Sequence, residues 1–182
     1  MTDAIERWDA KYRDAKWEAL PPCDPFVLAA LAECGDGAGR RALDAAAGTG
    51  RHALELASRG WRTDAWDLSS VGLSRLAGFA EANGLGVATR EFDLTHALPD
   101  DTFDLVVVVN YLDRELLPRL GRRLSPGGRL VFTTFTTDRD SGPSERHCLA
   151  GGELAAGIDG LVTQRYEEQG GRAGLVAARP HS

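Results

Sequence analysis

From Arg41 onward the chain alternates between short β-like apolar runs and longer stretches with helical spacing. The β-like runs fall at 41–45, 62–66, 87–92, 103–110 and 129–135, and helical segments lie near 50–58, 71–83 and 115–124. Strands that alternate with helices build a mostly parallel sheet covered on both faces. Leu105-Val-Val-Val-Val109 shows no polar alternation, so it reads as the central strand, buried on both sides. Arg59-Gly60 and Asn83-Gly84 close two of the helices, and Ser125-Pro-Gly-Gly128 forms a turn ahead of the fifth strand. Beyond Phe135 the texture changes. Residues 136–147 are polar, 152–156 predict a short helix, and 161–168 and 172–179 read as two strands joined by Gln169-Gly-Gly171, a hairpin signal. The pattern as a whole predicts an α/β fold: a three-layer, Rossmann-like, doubly wound and mostly parallel seven-stranded sheet that ends in an antiparallel hairpin.

Ahead of this lie Ile5, Trp8, Tyr12 and, less regularly, Trp17, spaced as one face of an amphipathic helix. The run Leu20-Pro-Pro-Cys-Asp-Pro25 ends that helix, and Asp24-Pro25 supplies the N-cap and first position of the next. The expected organisation is a helical arm or lid over residues 1–19 and one domain over 20–182.

Composition narrows the class. The chain has 182 residues, 43% of them hydrophobic, and a formal net charge of −6, which argues against nucleic acid or an anionic membrane surface as a partner. Its densest apolar stretch is far too short to span a bilayer, and the N-terminus lacks the features of a secretory signal. A reducing, cytoplasmic setting is expected, with Cys23, Cys34 and Cys148 as thiols. They form no C-x-x-C and no cluster with histidine, so no metal site is expected.

The chemistry concentrates where strands end. Leu43-Asp-Ala-Ala-Ala-Gly-Thr-Gly-Arg-His52 reads strand, acid, tight turn, helix. Gly48 and Gly50 let a ligand approach the backbone at a helix N-terminus. By itself Gly48-x-Gly50-x-x-Ala53 also fits a dinucleotide fingerprint, so the loop leaves NAD and other adenosine cofactors open. Asp67, with Leu68 beside it, ends the second strand, where a carboxylate can accept from both hydroxyls of a ribose or merely cap a helix. Asp93 ends the third, placed to accept from an adenine amino group while Leu94 covers the ring.

These residues resemble the class I S-adenosylmethionine-dependent methyltransferases from about residue 20 to the C-terminus. The family's D/E-x-G-x-G-x-G stands here as Asp44-Ala-Ala46-Ala-Gly48-Thr-Gly50, with alanine at the first glycine. The resemblance assigns Asp67 to the ribose, Asp93 to adenine, and Pro126-Gly-Gly128 to the turn before the fifth strand. It implies S-adenosyl-L-methionine as cofactor, held by Asp44, Ala46, Gly48, Gly50, Asp67, Leu68, Asp93, Leu94 and Asn110. Trp8-Asp-x-Lys-Tyr12 and Asn110-Tyr-Leu-Asp-Arg114 also make it similar to the small tellurite-resistance and thiopurine methyltransferase branch, which implies a small, soft nucleophile as acceptor. Tyr111 and Arg114, with Trp8, Tyr12 and Trp17 as a lid or as the apolar face of a docking helix, are the substrate-side candidates, and no general base is assigned. His52 is read as a packing or cofactor contact, and His147-Cys148 as incidental.

Two other functions stay open. A nicotinamide-dependent oxidoreductase shares the glycine loop and the ribose acid, but no lysine follows Lys16 to serve it as in the short-chain dehydrogenases. A non-catalytic adenosine-cofactor binder would show the same motifs without turnover. Asn110-Tyr-Leu-Asp113 lacks the two prolines of nucleic-acid amino-methylating enzymes, which again favours a small molecule.

Overall fold

The computed structural model describes residues 2–14, 20–139 and 143–181. Five helices, α1 (Thr2–Asp14), α2 (Pro25–Cys34), α3 (Arg51–Ser58), α4 (Ser70–Ala82) and α5 (Leu116–Gly121), surround one sheet. Its strands are β1 (Arg41–Ala45), β2 (Arg62–Asp67), β3 (Val87–Glu91), β4 (Phe103–Val109), β5 (Leu124–Phe135), β6 (Val162–Gln169) and β7 (Arg172–Ala178). They lie in the order β3-β2-β1-β4-β5-β7-β6. The first five run parallel, and β7 pairs antiparallel with both β5 and β6, which closes the sheet with the expected hairpin.

The central strand explains the layering. Along β4, side chains alternate between faces, so Leu105 and Val107 join Val27 and Leu31 of α2 and Leu56 of α3 on one side. Val106 and Val108 join Leu116, Leu117 and Leu120 of α5 on the other. All four central residues are fully buried, which is why no polar position interrupts the run. The edge strands β3 and β6 are mostly exposed.

Two boundaries differ from the sequence reading. Strand β5 begins at Leu124, which pairs with Phe103 before the Pro126-Gly-Gly128 turn bulges out and pairing resumes at Leu105 with Arg129. The same early pairing shortens α5, which ends at Gly121 rather than near residue 124. The short helix expected at 152–156 is a 3-10 turn, Glu153–Ala156. Asp24 caps α2 by accepting from the Phe26 N–H at 3.0 Å, and Pro25 takes the first helical position.

Candidate functional site

Strand order reverses between β1 and β4, whose connections leave in opposite directions, and at such a point an open α/β sheet leaves a crevice beyond the carboxyl ends of its strands. A cleft of about 990 Å³ occupies that place. Its floor is the turn after β1. Ala46 and Gly48 both adopt left-handed backbone there, at φ 59° and 56°. Glycine takes that conformation without steric cost, and alanine does not. Asp67, buried at the end of β2, holds the turn in place: its Oδ2 accepts from the Gly48 N–H at 2.7 Å and its Oδ1 from the Ser69 N–H at 2.8 Å. Burial pushes the Asp67 carboxyl above its ordinary pKa, and the backbone hydrogen bonds oppose that shift.

The two glycines of the turn do different things. A side chain on Gly48 would meet the Tyr12 hydroxyl at 2.5 Å, so this glycine faces the cleft and α1. A side chain on Gly50, at φ 85°, would strike Leu76 at 2.1 Å, so Gly50 serves the packing of α3 against α4 and does not line the cleft. Asp44 does not line it either. Its carboxylate sits beneath the turn and accepts from the Ala53 N–H at 2.9 Å, and burial pushes its pKa up to about 7.

Helix α1 lies over the floor. Asp9 accepts from the Ser69 hydroxyl and, at 3.5 Å, from the Val71 N–H, which fastens α1 to the start of α4. Tyr12 is wedged between Gly48 and Gly72, and Trp8 stacks on it at 5.8 Å. Lys11 places its ammonium 4.2 Å from the Trp8 ring centre, and burial lowers its pKa. Trp17 lies outside the described residues.

Asp93 and Leu94 line the wall beyond β3, and Leu68 lies beside Asp67. Asp93 is partly exposed and accepts from the Thr95 N–H at 2.9 Å and hydroxyl at 2.7 Å, which holds its carboxyl below the usual range. At the end of β4, Asn110 takes a left-handed φ of 58°, and Tyr111 follows it along the cleft. Burial, with three aspartates nearby, pushes the Tyr111 phenol up to about 12. Arg114 departs from expectation: its guanidinium turns to Glu153 and to the Cys148 carbonyl at 3.2 Å, outside the cleft.

Several cleft residues escaped the sequence reading. Phe135 ends β5, so the logic that singled out the ends of β1 to β4 would have found it. Arg51 follows the glycine turn directly. His147 lines the cleft although its neighbour Cys148 is buried, and no spacing in the 136–147 segment signals this. His52, by contrast, was expected as a packing or cofactor contact; it lines the cleft while 5% exposed, and burial, aided by Arg51 and Arg172, holds its pKa down to about 3. Among the described residues no cluster of three or more His, Cys, Asp or Glu side chains can hold a metal ion, and no helix is long and apolar enough to cross a membrane.

Residues 42–128 match the model of a methyltransferase domain family. The chain is 39% identical over 114 residues to a demethylmenaquinone methyltransferase of Clavibacter sepedonicus, covering 55% of this chain and 43% of that one. It is 33% identical over 115 residues to a ribosomal protein L11 methyltransferase of Thermus thermophilus, covering 62% and 44%. The chain thus spans less than half the length of these curated relatives. Among solved structures, TehB from Haemophilus influenzae superposes with a TM-score of 0.73 at 20% identity, covering 95% of this chain and 67% of that one. Magnesium protoporphyrin IX methyltransferase from Synechocystis, with S-adenosylhomocysteine bound, gives 0.75 at 16%, covering 98% and 99%. At these identities the two structures establish the fold.

Proposed function

We propose that this chain is a class I, S-adenosylmethionine-dependent methyltransferase that moves a methyl group to a small-molecule acceptor, a reading supported by the methyltransferase domain family that residues 42–128 match. The observation that carries the reading is the Ala46–Gly48 turn hung on Asp67 at the point where the strand order reverses. The residues fit the cofactor. A carboxylate offers about four acceptor directions, and Asp67 spends two or three of them on backbone N–H groups, leaving capacity for a ribose diol. Gly48 presents bare backbone to the cleft, Leu94 offers a buried apolar surface for a purine, and Asp93 stands beside it to accept from an amino group.

When bound, S-adenosylmethionine supplies a methyl group already activated on a sulfonium, so the protein's task is to align two reactants and keep water out. In this reading Asp67, Asp93 and the turn fix the adenosine end, and Tyr111 gives the sulfonium an aromatic neighbour. Residues 1–19 act as a lid: Trp8 and Tyr12 cover the glycine turn, and the Asp9 contacts to α4 keep the cover shut.

Burial leaves His52 little affinity for a proton and keeps Tyr111 in its protonated form, so both are poor bases for drawing a proton from the acceptor. An acceptor that arrives as its own anion, such as a thiol, selenium or tellurium compound, needs no such help. The names of the relatives lend support of different kinds: demethylmenaquinone and protoporphyrin are small molecules, whereas L11 is a protein. The net charge of −6 argues against nucleic acid as the acceptor.

The test is turnover with S-adenosylmethionine against a panel of thiols, selenols and tellurite, scored by S-adenosylhomocysteine release and a methylated product in the mass spectrum. Release that depends on acceptor and is lost in Asp67→Ala supports the reading. Tight S-adenosylhomocysteine binding with no methylated product from any small-molecule class would favour the non-catalytic binder.

A further inference from the structure

Two guanidiniums meet where the main cleft adjoins a side cavity of about 440 Å³. Arg51, the first residue of α3, lines both spaces, as does Asn110. Arg172, at the start of β7, is held by three acceptors: Asp24 Oδ2 at 2.9 Å, Asn110 Oδ1 at 3.1 Å and Thr133 Oγ1 at 3.3 Å. Its guanidinium also lies 4.7 Å from the Phe135 ring centre. Asp24 therefore balances one of the two charges. Glu167, also on the side cavity, stands 3.5 Å from Arg165.

Arg51 has no such partner. Its guanidinium donates to the Pro22 carbonyl at 3.4 Å, and among the described residues no carboxylate lies within ion-pair distance of it. Arg172, on the same side cavity, is by contrast paired with Asp24. Next to Arg51 in sequence, and lining the same cleft, His52 keeps its Nε2 buried without any hydrogen-bond partner. Buried polar groups and half-buried charges cost free energy until something pairs with them. A guanidinium fork pairs best with a planar oxyanion such as a carboxylate.

We propose that Arg51 and Arg172 form a carboxylate subsite where the cleft meets the side cavity, and that it anchors a carboxylate carried by the methyl acceptor. The proposal rests on the methyl-transfer reading above. The acceptor's body lies against Phe26 and Phe135, whose rings border the two spaces; the absence of a side chain at Gly174 makes room for the first of them. S-adenosylmethionine has a carboxylate of its own, the other source of the same chemistry. The experiment separates the two.

Benzoate is titrated calorimetrically into protein saturated with S-adenosylhomocysteine, with benzamide as the uncharged control. Benzoate should bind saturably and benzamide should not. Arg51→Gln should weaken benzoate about ten- to hundredfold, the worth of a hydrogen bond to a charged group, while S-adenosylhomocysteine affinity holds. Arg51→Lys should fall between them, because a point charge replaces the fork. Arg172→Gln should weaken benzoate too, and Arg172→Lys serves where the glutamine variant fails to fold. Failure of benzoate to bind the loaded wild type, or equal binding to both Arg51 variants, overturns the proposal. So does a loss of S-adenosylhomocysteine affinity in Arg51→Gln without loss for 5′-methylthioadenosine, which has no carboxylate; that result hands Arg51 to the cofactor. If the wild type binds neither adenosine compound, the methyl-transfer reading itself fails, and this subsite falls with it.

Discussion

The floor of the cleft and its far rim are built by different means. The floor, Ala46 to Thr49 with Asp67, is backbone held by one carboxylate across nineteen positions of sequence, and its surface is set by φ angles and bare glycine. The rim is made of side chains from distant elements: Asn110 after β4, Phe135 at the end of β5, His147 in the following segment and, on the adjoining side cavity, Arg172 of β7. A floor of backbone grips a shared cofactor whatever the side chains do. A rim of side chains can change with the acceptor while the fold stays the same.

The sharpest way to break that contrast is within the turn itself. Gly50→Ala forces a side chain into Leu76 at a left-handed φ, and should cost on the order of 2–5 kcal/mol of stability in denaturant melts. Gly48→Val should instead abolish S-adenosylhomocysteine binding by calorimetry. If Gly50→Ala is harmless, or Gly48→Val still binds, the division between packing and ligand faces is wrong.

Asp44 tests the support beneath the floor. Its folded pKa, about 7, lies above the unfolded value near 4, so the folded state holds the proton longer. The stability this carboxyl contributes is therefore full below about pH 4 and is lost as pH rises through about 7. Asp44→Asn removes that loss and should raise stability at pH 8, relative to wild type, by on the order of 2–3 kcal/mol, with a flatter melting profile between pH 4 and 7. An unchanged profile would contradict a buried, proton-holding Asp44.

Smaller effects separate floor from rim. Asp67→Ala should weaken S-adenosylhomocysteine binding by about 1.5–3 kcal/mol. Ala46→Gly should relieve left-handed strain by about 1 kcal/mol in the same melts. Arg114→Ala, which severs a surface pair with Glu153 and a hydrogen bond to the Cys148 carbonyl, should cost on the order of 1 kcal/mol and leave cofactor affinity untouched.

The floor was legible in the sequence because its rules are local. Acid, small residues and glycine at a strand end describe a turn before any contact is known, and Asp67 and Asp93 follow from counting strands. Asp44, Gly50 and Arg114 stand away from the cleft for reasons that lie outside the local pattern. Which way the Cβ of Gly50 would point depends on how close α4 approaches, and Arg114 depends on Glu153, thirty-nine residues away. The mostly parallel sheet and its closing hairpin were implied by the alternation of elements, but the approach of Arg51 to Arg172 needs β7 seated beside β5, which no local pattern encodes. His147 is the extreme case: a polar segment without periodicity carries it to the cleft.

The most direct measurement is calorimetric titration of the purified protein with S-adenosylmethionine, S-adenosylhomocysteine and NADH in parallel. The account predicts saturable binding of the first two, lost in Gly48→Val, and none of the third. Binding of NADH alone would contradict it and return the glycine turn to the nicotinamide reading.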